Sequence, residues 1–233
     1  MSTVIDHLLA GTLEVTGRLV DASNATLYGE CTFNDEKMAV IYKPIAGERP
    51  LWDFPDGNLA QREYAAFLVS EYSGWKVVPP TVLREGPFGL GMVQKWIDID
   101  ESIDLAMYYR EDNENLRRMA LFDAVINNTD RKIGHLLPVD DGTLLGCDHG
   151  VTFHEDDKLR TVIWQFAMRE LTDEEIKTLG DLVASLQENS AEILQLITEI
   201  EFFALITRIN RLIDSGAFPS PSEDWPAVPW PPF

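Results

Sequence analysis

Two carboxylates 18 residues apart frame the chemistry this chain can do. Asp130 stands in Asn127-Asn128-Thr129-Asp130-Arg131-Lys132-Ile133-Gly134-His135, and Asp148 in Cys147-Asp148-His149-Gly150. An apolar helical pattern ends before the first segment, and a short apolar hairpin pattern separates the two. That order brings both acids to one metal–phosphate site. A loop acid after a helix can orient a hydroxyl nucleophile and accept its proton. A carboxylate at a strand exit can bridge a hard cation to phosphates. The chemistry such a pair serves is phosphoryl transfer.

Other residues complete this arrangement. Lys43 closes a strand-like run, Val40-Ile41-Tyr42-Lys43-Pro44, where its stem is fixed and its ammonium can reach nucleotide phosphates. Glu63, in a predicted helix, is the expected partner that holds Lys43 extended, with Glu71 as the rival. Arg131 and Lys132 are expected to supply positive charge beside Asp130. His135 is a candidate second metal ligand, and its softer imidazole favours manganese over magnesium. The turn 21–24 lacks glycines, so it is no Walker or Gly-x-Gly-x-x-Gly loop, but Ser23, Asn24 and its N–H groups can cap phosphates. Gln94, Lys95 and Trp96, at the junction of the two halves, are expected to read an adenine edge through the main chain. A zinc site from His135, His149 and His154 is disfavoured, because no cysteine has suitable spacing.

The elements that must position these residues follow from periodicity. A short helix is predicted over 1–12, and strands over 13–20, 26–33 and 38–42. Asp21-Ala22-Ser23-Asn24 and Asn34-Asp35 read as turns. Residues 44–58 read as a loop anchored by Trp52 and Phe54. A helix follows over 59–72, with Gly74 as its stop, then strands over 77–83 and 91–97. Beyond a break at 98–102 the pattern turns helical: 115–126, a run from the Thr172/Glu175 capping box to about 186, and 190–215. A short hairpin is expected over 136–137 and 143–147. The expected fold is α+β and two-lobed: an antiparallel-sheet N-lobe with one main helix (1–97) and a mostly helical C-lobe (98–218). The tail, 219–233, holds Trp225, Trp230 and six prolines, so it cannot be a regular helix. It reads as a segment packing its tryptophans on the domain surface, with capture of a protein partner as the alternative.

Composition narrows the classes. The chain has 233 residues and 45% apolar content, enough for a real core. A formal charge of -20 disfavours nucleic acid and anionic membranes as partners, so a polyanionic substrate needs a locally basic pocket. Cys31 and Cys147 form neither a disulfide scaffold nor a close metal pair, and are expected to be buried structural thiols. No leader-like or membrane-spanning run is read, which makes the cytoplasm the default expectation.

The ordered set Lys43, Glu63, Asp130 and Asp148 resembles the phosphoinositide 3-/4-kinase-like superfamily, in particular its small actinobacterial branch, and more distantly bacterial toxin-type serine kinases. Thr129-Asp130-Arg131 is similar to the family's catalytic Asp-Arg loop, and Cys147-Asp148-His149-Gly150 to its metal-binding Asp-x-Gly segment. The resemblance implies a kinase-like fold over roughly residues 13–200, with ATP and Mg²⁺ or Mn²⁺ as cofactors. Under it Lys43 contacts ATP phosphates, Asp130 serves a hydroxyl acceptor and Asp148 binds metal. Superfamily kinases usually carry Asn where His135 stands, and often His or Gly where Lys132 stands. A short chain without a basic surface points to a protein hydroxyl or a small metabolite as acceptor, not a phosphoinositide. Three other outcomes remain open: a nucleotide-binding pseudokinase, AMP transfer onto a protein, and a metal hydrolase, the last weakened by the lack of a dense His/Asp cluster.

Overall fold

The computed structural model describes residues 3–19, 25–49 and 51–233. Its N-terminal half is a five-stranded antiparallel sheet in the order β1-β2-β3-β5-β4, from strands β1 (Thr12–Arg18), β2 (Leu27–Phe33), β3 (Glu36–Pro44), β4 (Thr81–Gly86) and β5 (Gly89–Lys95). Asn34 and Asp35 both take positive φ, 51° and 64°. That geometry lets a two-residue turn follow the strand twist, so β2 and β3 pair without a slip from Leu27↔Tyr42 to Phe33↔Glu36. One sheet face packs on α1 (Val4–Ala10), burying Leu8, Leu13, Cys31, Val40, Tyr42, Val82 and Val93.

The other principal element of this half is α2 (Leu59–Tyr72), which occupies the predicted span. Asn58 accepts from Gln61 N, and the Glu48 carboxylate accepts from Leu59 N and Ala60 N, each at 2.8 Å. These bonds satisfy N–H groups that the first helical turn leaves unpaired. The apolar side of α2 (Ala65, Ala66, Phe67, Leu68, Val69) belongs to the same core as the helical half.

That helical half contains α3 (Leu105–Tyr108), α4 (Glu114–Ile126), the hairpin β6 (Leu136–Pro138) and β7 (Leu144–Gly146), then α5 (Asp173–Glu188), α6 (Ser190–Ile193) and α7 (Glu199–Ser215). The expected α+β two-lobe architecture is therefore present, and two local expectations are corrected. The strand expected from Val77 begins only at Thr81. Pro79 and Pro80 cannot donate to a ladder, and Val77 N and Val78 N donate to Ser70 Oγ instead. The single helix expected over 190–215 is broken, because Thr198 and Glu201 form a capping box that starts α7 afresh. No helix among the described residues is long and apolar enough to cross a membrane.

Candidate active site

The cleft between the halves gathers four of the expected residues. Lys43, on β3, donates to Glu63 Oε1 at 2.5 Å and to Asp148 Oδ1 at 2.7 Å. Glu63 is thus the partner on α2, and Glu71 is exposed. The second Glu63 oxygen accepts from His149 N at 3.0 Å, so one carboxylate ties the strand lysine to the Asp148 segment. Burial opposes the Lys43 charge, yet Asp148 and Glu63 outweigh it and hold its pKa above the usual lysine range. Lys43 in turn holds Asp148 well below the carboxylate range. The Asp148 side chain is 51% exposed, so solvent screens part of that effect and the carboxylate is open to a ligand.

The Asp148 turn is made by Asp148 itself, at φ 60°, and not by Gly150. Gly150 serves close approach: a Cβ there would lie 3.1 Å from Leu59 Cβ, between the loop and α2.

Asp130 follows α4, which ends at Asn127 in the left-handed region. Asn128 Oδ1 accepts from Asp130 N at 3.0 Å, while its amide donates to Asp123 Oδ1 at 2.9 Å. Thr129 N and Oγ1 both donate to Val151 O. These bonds present the Asp130 carboxylate to the cleft, 31% exposed, with Lys132 Nζ 3.3 Å away. Burial raises its pKa, against the pull of Lys132.

Arg131 is placed differently from expectation. Its guanidinium is fully buried and does not line the cleft. It donates to Asp123 through Nε and Nη2, both at 2.9 Å, to Cys147 O at 3.0 Å and to His149 Nε2 at 2.6 Å. Asp123, one turn before the end of α4, draws it inward, so it fastens the Asp130 loop to the Asp148 segment. Of the two expected cations only Lys132 faces Asp130.

His135 Nε2 lies 3.4 Å from Asp148 Oδ2. Burial lowers its pKa to about 4, against the raising effect of Asp148, so it is neutral at pH 7. Its Nδ1 accepts weakly from Lys132 N at 3.4 Å, which leaves the proton on Nε2; metal ligation through Nε2 requires the other tautomer. No group of three or more His, Cys, Asp or Glu suited to a metal occurs among the described residues. Asp148 and His135 offer a carboxylate and an imidazole, so a cation held there would draw its remaining positions from phosphate oxygens and water.

The Gln94 side-chain amide is engaged, donating to Thr81 Oγ1 at 2.8 Å. Lys95 N and Trp96 N are engaged by Pro80 O and Ala39 O, so they are not free to read a base. Trp96 packs edge-on to Tyr28 and donates to Asp98. All three residues still line a cavity of about 420 Å³ with Leu19, Ile41, Ile97 and Leu137, which Lys43, His135 and Asp148 also line. Ser23 and Asn24 lie outside the described residues. A larger cavity, about 930 Å³, shares Lys43, His135 and Asp148 and extends past Asp130 and Lys132 to Arg160, Trp225 and Phe233. Of the cysteines, Cys31 is buried and Cys147 only half-buried.

Sequence reasoning missed Glu48, Asp123, Asn128 and Arg62. Arg62 is buried beside Glu63 on α2 and reaches Glu201 at 2.6 Å, Thr152 O at 2.9 Å and Asp56 O at 3.0 Å. An arginine next to the expected glutamate, just before the apolar run from Ala65 to Val69, was the available signal. Asp123 offered a similar one, as an acid inside the apolar run of α4.

A sheet-based lobe, one helix carrying the lysine's partner and a helical lobe carrying two acid loops define a protein of kinase-like fold. Solved structures agree. The chain is similar to hydra Fam20 with sugar (TM-score 0.63, 13% identity, 91% of this chain and 86% of that one). It is also similar to the Golgi casein kinase with Mn/ADP bound (TM-score 0.59, 15% identity, 91% and 74%). A Helicobacter pylori proinflammatory kinase, CtkA, is a third (TM-score 0.50, 14% identity, 91% and 94%). The fold is thus related to these atypical kinases. No family model matches the sequence. The chain belongs to the family of Protein Rv2133c of Mycobacterium tuberculosis (strain ATCC 25618 / H37Rv), to which it is 40% identical over 97% of its own length and 94% of that protein's.

Proposed function

We propose that this protein is an ATP-dependent phosphotransferase that moves the γ-phosphoryl group to a hydroxyl of a small metabolite or protein. The observation that carries this reading is Lys43 held between Glu63 and Asp148 in a cleft whose other side presents Asp130. The smaller, largely apolar cavity receives the adenine, and Ile97 N, on a residue lining it, is a main-chain donor that makes no hydrogen bond among the described residues. Lys43 holds the phosphates. Asp130 orients the acceptor hydroxyl and takes its proton as the acceptor oxygen bonds to the γ-phosphorus and the bond to the β-phosphate oxygen breaks, releasing ADP. Asp148, with His135, would hold Mg²⁺ or Mn²⁺, whose contribution is to neutralise phosphate charge. Positioning and electrostatics account for the catalysis. The Asp-Arg and Asp-x-Gly segments support a further placement near the phosphoinositide-kinase-like branch, without a lipid substrate.

The test is ATP binding and product analysis with each metal, for wild type and for Asp130→Ala and Asp148→Ala. Metal-dependent ADP formation lost in both variants supports the proposal. AMP and pyrophosphate would replace it with nucleotidyl transfer, and binding without turnover in the presence of candidate acceptors would replace it with a pseudokinase. Absence of ATP binding would overturn the nucleotide site itself.

A further inference from the structure

Three cations line the larger cavity: Lys43, Lys132 and Arg160. Lys43 is held by Glu63 and Asp148, and Lys132 by Asp130. Arg160 has no ion pair or side-chain hydrogen bond among the described residues, and its Nε is buried without a partner. A guanidinium carries five donors, and leaving one buried and unmatched is costly. Its charge also acts on Asp130. Trp225 repeats the pattern: its indole Nε1 is a second buried donor without a partner, on a residue lining the same cavity.

Trp225 belongs to the proline-rich tail, which is docked along the Asp130 loop. Ala227 O accepts from Thr161 N at 3.0 Å and from Trp164 Nε1 at 2.7 Å. Further on, Pro232 O accepts from Ile133 N at 2.9 Å, inside the segment between Asp130 and His135. Phe233 then lies against Gly134, 3.9 Å from where a Cβ would stand. Trp225 and Phe233 line the cavity that contains Asp130, and neither lines the one that contains Gln94 and Trp96. The tail therefore walls the acceptor side of the cleft.

We infer, on the phosphotransferase reading, that Arg160, Trp225 and Phe233 form the acceptor subsite, and that it takes a small hydroxyl compound bearing one oxyanionic group, a phosphate or a carboxylate. The unmatched donors of Arg160 and Trp225 bind the anion, and the Phe233 ring, with the Trp225 face not covered by Lys158, covers the body of the molecule. Arg160 is the one cation lining the cavity without an ion pair among the described residues, and it matches one anionic group. The charge of -20 on the chain repels an extended acidic partner, whereas a small anion is met locally by Arg160. The three residues act on specificity: they position the hydroxyl at Asp130 and take no part in breaking bonds.

The test titrates inorganic phosphate, and separately acetate, into the full chain saturated with a non-hydrolysable ATP analogue, so that the nucleotide's own phosphate positions are filled. Binding is read by tryptophan fluorescence and by ³¹P line broadening, and folding by thermal melting. Saturable phosphate or acetate binding, weakened at least tenfold in Arg160→Gln and several-fold in Trp225→Phe, which keeps the ring and removes the N–H, is the expected result. The stronger of the two anions names the acceptor's charged group. No saturable binding to the wild type, or equal binding in both folded variants, would overturn the inference. If the analogue binds and the anions do not, the acceptor subsite alone is wrong; if the analogue does not bind, the phosphotransferase reading fails with it.

Discussion

Replacing Arg131 with Met separates two roles that the sequence leaves together. As a charge beside Asp130, Arg131 would affect turnover and leave stability alone. As placed in the structure, it is a buried staple, and both it and Asp123 have fully buried side chains. Removing the guanidinium leaves the Asp123 carboxylate without its bidentate partner and frees Cys147 O and His149 Nε2. Breaking a buried pair from one side costs about 3–5 kcal/mol. Asn128 still donates to Asp123 Oδ1, which favours the lower figure. For a chain of this size each kcal/mol moves Tm by about 2–4 °C, so Arg131→Met should lower Tm by roughly 6–12 °C. The measurement is thermal unfolding at pH 7, with urea titration as a check. The double variant Asp123→Leu with Arg131→Met removes the stranded charge and should recover a large part of the loss. A drop below about 2 °C in the single variant, or a double variant no more stable than Arg131→Met, would refute the staple.

Three further outcomes follow from the same geometry. Lys43→Met strands Glu63, whose side chain is 2% exposed, and should cost about 3 kcal/mol and abolish ATP binding; adding Glu63→Gln should restore stability in urea titration but not binding by calorimetry. His135 has a folded pKa near 4 against an ordinary value of 6.5, so between those values the unfolded chain binds the extra proton. Stability of the metal-free protein should therefore fall as pH drops from about 6.5 to 4, and His135→Asn should flatten that slope in melting curves taken across the range. Gly150→Ala places a methyl 3.1 Å from Leu59 Cβ. It should cost about 1–3 kcal/mol by overpacking and weaken ATP binding by pushing Glu63 from the Asp148 loop; unchanged melting would show that α2 and the loop yield freely.

What was legible in the chain was what depends on local pattern. The Asn34-Asp35 hairpin, the helix over 59–72 and the Thr172 capping box rest on short-range rules, and each is present. The strand lysine, its helix glutamate and the two loop acids were readable because position at an element's end constrains where a side chain goes. Arg131 was not readable in the same way. Adjacent loop residues point in unlike directions, and only the Asp123 carboxylate, eight positions back on α4, decides which way this one turns. The same holds for Lys95 and Trp96, whose N–H groups are claimed by Pro80 and Ala39 through pairing that periodicity does not reveal. The break before α7 had a local signal, Thr198-x-x-Glu201, hidden inside a longer apolar pattern. The tail's contact with the Asp130 loop depends on main-chain bonds to Ile133 and Thr161, and nothing in its proline spacing specifies them.

The embedding of α2 also bears on control. In protein kinases the corresponding lysine–glutamate pair is made or broken by movement of the helix. Here α2 is fastened at several points besides Lys43. Glu48 caps its first turn, Gly150 admits the loop against Leu59, and its apolar side is part of the helical core. Arg62 adds the strongest restraint, a pair with Glu201 in which the two side chains are 2% and 10% exposed. Swinging α2 outward would separate that pair, at about 3–5 kcal/mol, and would uncover apolar surface as well. Conformational switches work across gaps of a few kcal/mol, and the first cost alone consumes that range. The Lys43–Glu63 contact is therefore set when the chain folds. Helix movement is a poor lever on this site, and the contacts between the tail and the Asp130 loop, one main-chain hydrogen bond at Ile133 and Phe233 against Gly134, are the cheaper ones to change.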